Sequence, residues 1–156
     1  MIELLVVIAI IGILASVVLV SLGSARAKGN DARVQEQLSG LRSAAELYFT
    51  TNSNYGTFNP TGSDAGCVDA AAATLSFFND SASGKPIILG TNSVPGVGVS
   101  KCFANSTSWA AGYGLPSAPT AAYWCVDSNG KSEKVTGVNG QISATSALFT
   151  DGAGCP

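Results

Sequence analysis

From Leu4 to Leu22 the chain is apolar except for Gly12, Ser16 and Ser21, and no charge interrupts it. A run of this length fits a bilayer crossing, because about 20 residues rising 1.5 Å each span the hydrocarbon core. Glu3 sits at the start of the run, and the first basic side chain is Arg26. An ionisable group at the rim of such a segment is expensive and implies a partner. A cleaved secretory signal is a poorer description. Its basic leading region is absent, the apolar stretch is too long, and Glu3 carries the wrong charge. The segment is expected to be retained.

If the first fifty or so residues are helix, about 105 of the 156 remain, a usual size for one globular domain. Eight basic and ten acidic residues leave a net charge of −2, so no basic patch supports nucleic-acid binding through counter-ion release. The chain contains no histidine. That removes Ser-His-Asp and Cys-His catalysis and most catalytic zinc sites. No enzymatic activity, cofactor or metal is expected.

Cys67, Cys102, Cys125 and Cys155 are widely spaced, with no C-x-x-C pair. Without histidine this spacing argues for two disulfides over zinc, hence an oxidising, extracytoplasmic location. Three pairings are open. Cys67–Cys102 with Cys125–Cys155 is favoured, because the second bridge staples the tail after Phe149 onto the domain.

The helix is expected to continue beyond the apolar run. Val34, Leu38, Leu41, Ala45 and Tyr48 recur at spacings of four, three, four and three, one stripe of an amphipathic helix. Asp31, Arg33, Glu36, Gln37, Arg42 and Glu46 fall mostly on its other faces. Gly23, Gly29 and Gly40 each weaken a helix by about 1 kcal/mol relative to alanine, so bends or thin spots are expected near 23 and 29. The stop is Thr50-Thr51-Asn52-Ser53-Asn54. The chain thus divides into an apolar helix over 1–23, its amphipathic continuation over 24–51 and a globular head over 52–156.

Within the head, 52–106 reads largely as loop, with a turn at Asn59-Pro60. A short helix is expected from Asp69 as N-cap through Ala70–Phe78. Pro86-Ile87-Ile88-Leu89 is a short apolar piece before a Gly/Pro-rich loop through Gly98. Strands are expected at Ser108–Leu115, Ala121–Asp127 and Ser132–Thr136, the last two joined by the Asp127-Ser128-Asn129-Gly130 turn. A further strand is expected at Gln141–Phe149. The fold class is α+β: a long N-terminal helix packed on a small antiparallel sheet of three or four strands, with a disulfide-closed tail over 107–156.

Ile2-Glu3-Leu4-Leu5-Val6-Val7-Ile8-Ala9-Ile10-Ile11-Gly12-Ile13-Leu14-Ala15 closely resembles the N-terminal signature of type IV pilins and the related type II secretion pseudopilins. The match covers about 20 residues; the rest of the chain resembles the family in architecture alone. Tyr123-Trp124-Cys125-Val126-Asp127-Ser128-Asn129-Gly130 is of a kind that recurs in pilin-like domains. The resemblance implies a helical homopolymer with the N-terminal helices bundled in its core, extending outside the cell. It implies insertion in the cytoplasmic membrane before assembly and handling by the pilus assembly machinery. Glu3 is implied to pair with the N-terminal amine of a neighbouring subunit, and Leu4, Leu5, Ile8, Ile11, Gly12 and Ala15 to pack between subunits. Adhesion, motility and DNA uptake are the implied uses, with the surface or DNA ligand left open. A pseudopilin or minor pilin, or a membrane-anchored binding domain, are the alternatives.

The sequence departs from the family twice. Met1 stands where the family has its third mature residue, after a methylated Phe and a Thr. Either residues ahead of Met1 are absent from the sequence or its start is misplaced; the first is favoured, since the amine must lie where a neighbour's Glu3 reaches it. The second departure is Val20, where many pilins carry proline. Proline removes a donor and clashes with the preceding turn, and Val20 does neither. At most a short break in the helix is expected.

Three weaker features have blander readings. Asp127, Glu133 and Asp151 resemble the calcium-site acids of some major pseudopilins, but loop acids are more often solvated and calcium needs six or more oxygen ligands. Tyr48, Phe49, Tyr55 and Phe58 lack interleaved basic residues, so core packing is favoured over base stacking. Asn79-Asp80-Ser81 and Asn105-Ser106-Thr107 fit the glycosylation pattern.

Overall fold

The computed structural model describes residues 2–58, 67, 76–119, 121–136 and 154–155. Helix α1 (Ile2–Asn52) is unbroken over 51 residues, a rod about 75 Å long at 1.5 Å per residue. No break occurs at Gly12, Gly23 or Gly29, so the expected thin spots leave no interruption. A glycine lowers helix propensity without removing a hydrogen-bond donor, and a long cooperative helix propagates through it.

The helix ends inside the polar cluster, after Asn52, and the side chains there turn back on the backbone. Thr50 and Thr51 donate their hydroxyls to the carbonyls of Glu46 and Leu47, and the Asn52 amide donates to that of Tyr48. Ser53 then adopts φ 58°, a left-handed residue that reverses the chain at the helix end.

The second half of α1 carries the head on one stripe. Val34, Leu38, Leu41 and Ala45 are fully buried, and Tyr48 packs against the same core. Asp31 continues that stripe one turn lower and is also buried, although the sequence pattern groups it with the solvent-facing charges.

The segment expected to be mostly loop contains two elements. Helix α2 spans Gly84–Asn92 and strand β1 spans Ser100–Ala104. Pro86 falls in the first turn of α2, where a missing N–H costs nothing, while Ile88 is buried and Ile87 packs on the core. Gly84 lies against Phe77, which stacks near Tyr48. Farther along α2, Gly90 faces Gln37, and Asn30 donates to the Pro95 carbonyl at 3.0 Å. Thus α2 runs antiparallel to α1, descending towards its apolar half. Of the helix expected over Ala70–Phe78, residues 69–75 lie outside the described residues. Its end is not helical: Ser76 bridges to Gly56, and Phe77 enters a turn. Phe77 and Phe78 are both fully buried, and Phe77 also hydrogen-bonds to the Tyr55 carbonyl.

Strands β2 (Trp109–Gly114), β3 (Ala122–Asp127) and β4 (Ser132–Thr136) follow the expected positions closely. With β1 they form an antiparallel meander in the order β1-β2-β3-β4. The strand expected at Gln141–Phe149 lies outside the described residues. One sheet face, with Trp109, Ala111, Tyr113, Ala122 and Val126, packs towards α1. Tyr123, Cys125 and Cys155 form a second cluster on the opposite side, with Val135 against it. The architecture is α+β and pilin-like: a long N-terminal helix whose second half packs on a four-stranded antiparallel sheet.

Candidate functional site

Residues 2–22 of α1 are exposed throughout. Leu4, Leu5, Ile8 and Ile11 are each more than half exposed, and a side chain at Gly12 would meet nothing within 4 Å. At 100° per residue, Leu4, Leu5, Ile8, Ile11, Gly12 and Ala15 share one face about 120° wide. The structure does not set that face apart, because Val6, Val7, Ile10, Ile13 and Leu14 are equally bare on the other sides. A helix apolar all round belongs inside a bilayer or a bundle. The interruptions suit such a setting: the Ser16 hydroxyl donates to the Ile13 carbonyl at 2.8 Å, so it needs no outside acceptor. Glu3 lies in the first turn and is exposed.

This half joins the head without a linker. The apolar run passes through Arg26 and Lys28, both exposed, into the buried stripe that begins at Asp31. The Asp31 carboxylate accepts from the Ser117 amide at 2.9 Å and from the Ser117 hydroxyl. Higher up, Arg42 donates from Nη2 to the Lys131 carbonyl at 2.7 Å. These contacts fix the β2–β3 loop and the β3–β4 turn to the helix about 16 Å apart, eleven residues at 1.5 Å each.

The cysteines pair as Cys67–Cys102 and Cys125–Cys155, the pairing favoured from the sequence. Asp127 is a buried anchor for the second bridge. Its Oδ1 accepts from the amides of Asn129 and Lys131, and its Oδ2 from the amide of Cys155, all at 2.9 Å. Lys131 also reaches the Cys155 carbonyl from Nζ at 3.2 Å. The Asp127 carboxylate therefore ties the turn to the tail. Among the described residues, no group of three or more His, Cys, Asp or Glu side chains is placed to hold a metal; Asp151 lies outside them.

The aromatics pack into the upper core. Tyr55 and Phe58 are buried, Phe49 covers Tyr55 at 4.7 Å between ring centroids, and Phe77 meets Trp109 edge-on at 5.2 Å. The Asn105 side-chain oxygen accepts from the amides of Thr107 and Ser108 and from both their hydroxyls, which builds the turn between β1 and β2. Burial raises the phenol pKa of Tyr123 to about 12, with the Glu133 carboxylate adding to the shift.

Asp31 and Asp127 are the functional-looking residues that the sequence pattern does not single out as anchors. Asp31 had one signal: it stands three residues before Val34, on the line of the apolar stripe. No protein-family model, no curated protein and no solved structure matches the chain.

Proposed function

We propose that this chain is a structural subunit of the type IV pilin class, non-enzymatic, that polymerises through its N-terminal helix into an extracellular filament. One observation carries the reading. A single unbroken helix is bare over residues 2–22, apolar from Leu4 onward, and buried along one stripe of its second half under a head that carries two disulfides. Such an apolar surface is stable only in lipid or against like helices. A filament supplies both in turn, with the helix first in the cytoplasmic membrane and then in the core of the polymer.

The move from lipid to bundle exchanges one apolar environment for another, so packing and polar pairing must select the arrangement. Leu4, Leu5, Ile8, Ile11, Gly12 and Ala15 supply one packing face. Glu3 registers one subunit on the next by meeting the amino terminus of a neighbour. Removing one partner from such a desolvated pair costs about 3–5 kcal/mol.

The test is Glu3→Ala in cells that express the chain with its assembly machinery. Membrane insertion is expected to persist while filament yield falls sharply. Abundant normal filaments from this variant would overturn the role of Glu3. Electron microscopy of sheared surface material decides the polymer itself: long filaments built mainly of this chain support a major pilin, and their absence points to a pseudopilin or minor pilin.

A further inference from the structure

The two loops at the lower end of the head form one uncharged surface facing the apolar half of α1. Residues 93–99 read Ser-Val-Pro-Gly-Val-Gly-Val and residues 115–119 read Leu-Pro-Ser-Ala-Pro, without a charged side chain in either. Asn30 holds the first loop through Pro95, and Asp31 holds the second through Ser117. The first loop is also bonded to the end of β2, where the second loop begins. The Gly98 amide donates to the Gly114 carbonyl at 2.9 Å, and the Gly114 amide to the Val99 carbonyl at 3.0 Å. Pro95, Gly96, Val99, Pro119 and Ala121 are exposed there.

The position of this surface along the helix is fixed. Asn30 is eight residues past Leu22, about 12 Å above the end of the apolar run. A headgroup layer is about 5–8 Å deep on each side of a bilayer, and transmembrane helices tilt by about 20° on average. A tilt of that size towards the head's side lowers loops packed about 10 Å from the helix axis by about 3–4 Å, to the upper edge of that layer. Arg26 and Lys28 lie below the loops and flank Ala27, one on each side at about 100°. Ala27 is itself partly covered. Long basic side chains at this depth extend to lipid phosphates while their stems stay on the apolar surface.

We propose that the underside of the head, with Arg26 and Lys28, is a docking face for an anionic phospholipid surface. It holds the unassembled subunit tilted, with its head down on the outer leaflet. This inference rests on the reading of Leu4–Leu22 as membrane-spanning before assembly. The occupant is lipid because Arg26 and Lys28, within about 9 Å of the end of the apolar run, offer phosphates two exposed cations directly below exposed, uncharged valine- and proline-bearing loops. Extraction into the filament then has to lift this face off the membrane, which makes docking a step that opposes premature assembly.

The experiment uses the full chain reconstituted at high lipid excess in vesicles of phosphatidylglycerol and brominated phosphatidylcholine. Val99→Trp and, independently, Ala121→Trp place fluorescent probes on the face. Ser132→Trp is the control, near the level of Arg42 and about 30 Å above Leu22. Bromolipid quenching above the wild-type background is expected for the two underside probes and not for the control. Arg26→Gln and Lys28→Gln are each expected to lower the docked-to-undocked ratio about fivefold, as loss of one cation at an anionic surface does. Retention of the chain after alkaline extraction with no added quenching of either underside probe would overturn docking alone. Release by alkali would overturn the membrane-spanning reading and docking with it. Shielding of the probes that tracks protein density instead of bromolipid would assign the face to a second copy and overturn the lipid assignment.

Discussion

Asp31 on the long helix and Ser117 on the β2–β3 loop are 86 positions apart, and one carboxylate accepts from both the amide and the hydroxyl of the serine. Asp31 is almost fully buried, so the contact is shielded from competing water. Hydrogen bonds to a charged acceptor contribute about 1.5–3 kcal/mol each. Asp31→Ala is therefore expected to destabilise the head by about 2–4 kcal/mol. Ser117→Ala, which keeps the amide bond, should cost less than half as much. Urea unfolding of the detergent-solubilised chain measures both, and equal midpoints for Asp31→Ala and wild type would refute the anchoring role.

Asp127 holds the tail by gathering three amides, one of them that of Cys155. Asp127→Ala leaves the buried Cys155 amide without its acceptor, which costs about 1–3 kcal/mol, and releases the two amides of the exposed turn to water. The expected result is a loss of about 1–3 kcal/mol together with faster reduction of Cys125–Cys155, while Cys67–Cys102 is unaffected. Timed reduction followed by alkylation and peptide mass mapping reads the two bridges separately. Deleting the second bridge outright, by Cys125→Ser with Cys155→Ser, should cost about 3–4 kcal/mol through the freed loop of the unfolded chain.

The parts of this fold written in local patterns were legible in the sequence. The 3–4 spacing from Val34 to Tyr48 gave the buried stripe, and Tyr123-Trp124-Cys125-Val126 before Asp127-Ser128-Asn129-Gly130 gave a strand and its turn. What escaped depends on distant partners. Helical register puts Asp31 on the line of the buried stripe and Glu36 off it, but nothing local shows that the Asp31 carboxylate is buried against Ser117 far along the chain. Helix α2 is short and proline-bearing, so its apolar triplet Ile87-Ile88-Leu89 carries no full helical period; packing on α1 decides its form. Strand β1 has few strand-forming residues, and its pairing with β2 and the bridge from Phe58 to Ala104 define it. For the candidate site, the apolar helix and Glu3 were plain from composition, but the underside of the head emerges only when Asn30 and Asp31 bring two loops together.

Gly98 and Gly114 allow those loops to touch. A Cβ at Gly98 would lie 2.5 Å from the Pro119 carbonyl oxygen, and one at Gly114 would lie 2.8 Å from the Gly98 Cα. Backbone atoms cannot yield as a side chain does, so Gly98→Ala or Gly114→Ala must part the loops, at a cost of about 2 kcal/mol or more. Gly40→Ala is the opposite case. It sits on the exposed side of α1 with nothing within 4 Å, and replacing glycine in a helix interior should stabilise by about 0.5–1 kcal/mol. Thermal unfolding of the three variants should show shifts of opposite sign.

All four tyrosines of the chain have phenol pKa values raised above the ordinary 10.0. Burial is the leading cause in each. At Tyr55 the pKa reaches about 12, with the Glu46 carboxylate accepting the hydroxyl at 2.9 Å and opposing a second negative charge. A phenol with a raised folded pKa holds its proton more tightly in the native head than in the unfolded chain. Its contribution to stability is thus complete below pH 10 and declines as pH rises towards the folded value. The head is expected to show a flat stability plateau up to about pH 10 and a steep loss between about 10 and 12. Phenolate absorbance should rise together with loss of near-ultraviolet circular dichroism, because unfolding exposes the rings that ionise. A simple titration of even one tyrosine at its ordinary value, with tertiary structure intact, would contradict the buried or carboxylate-facing settings of these four rings.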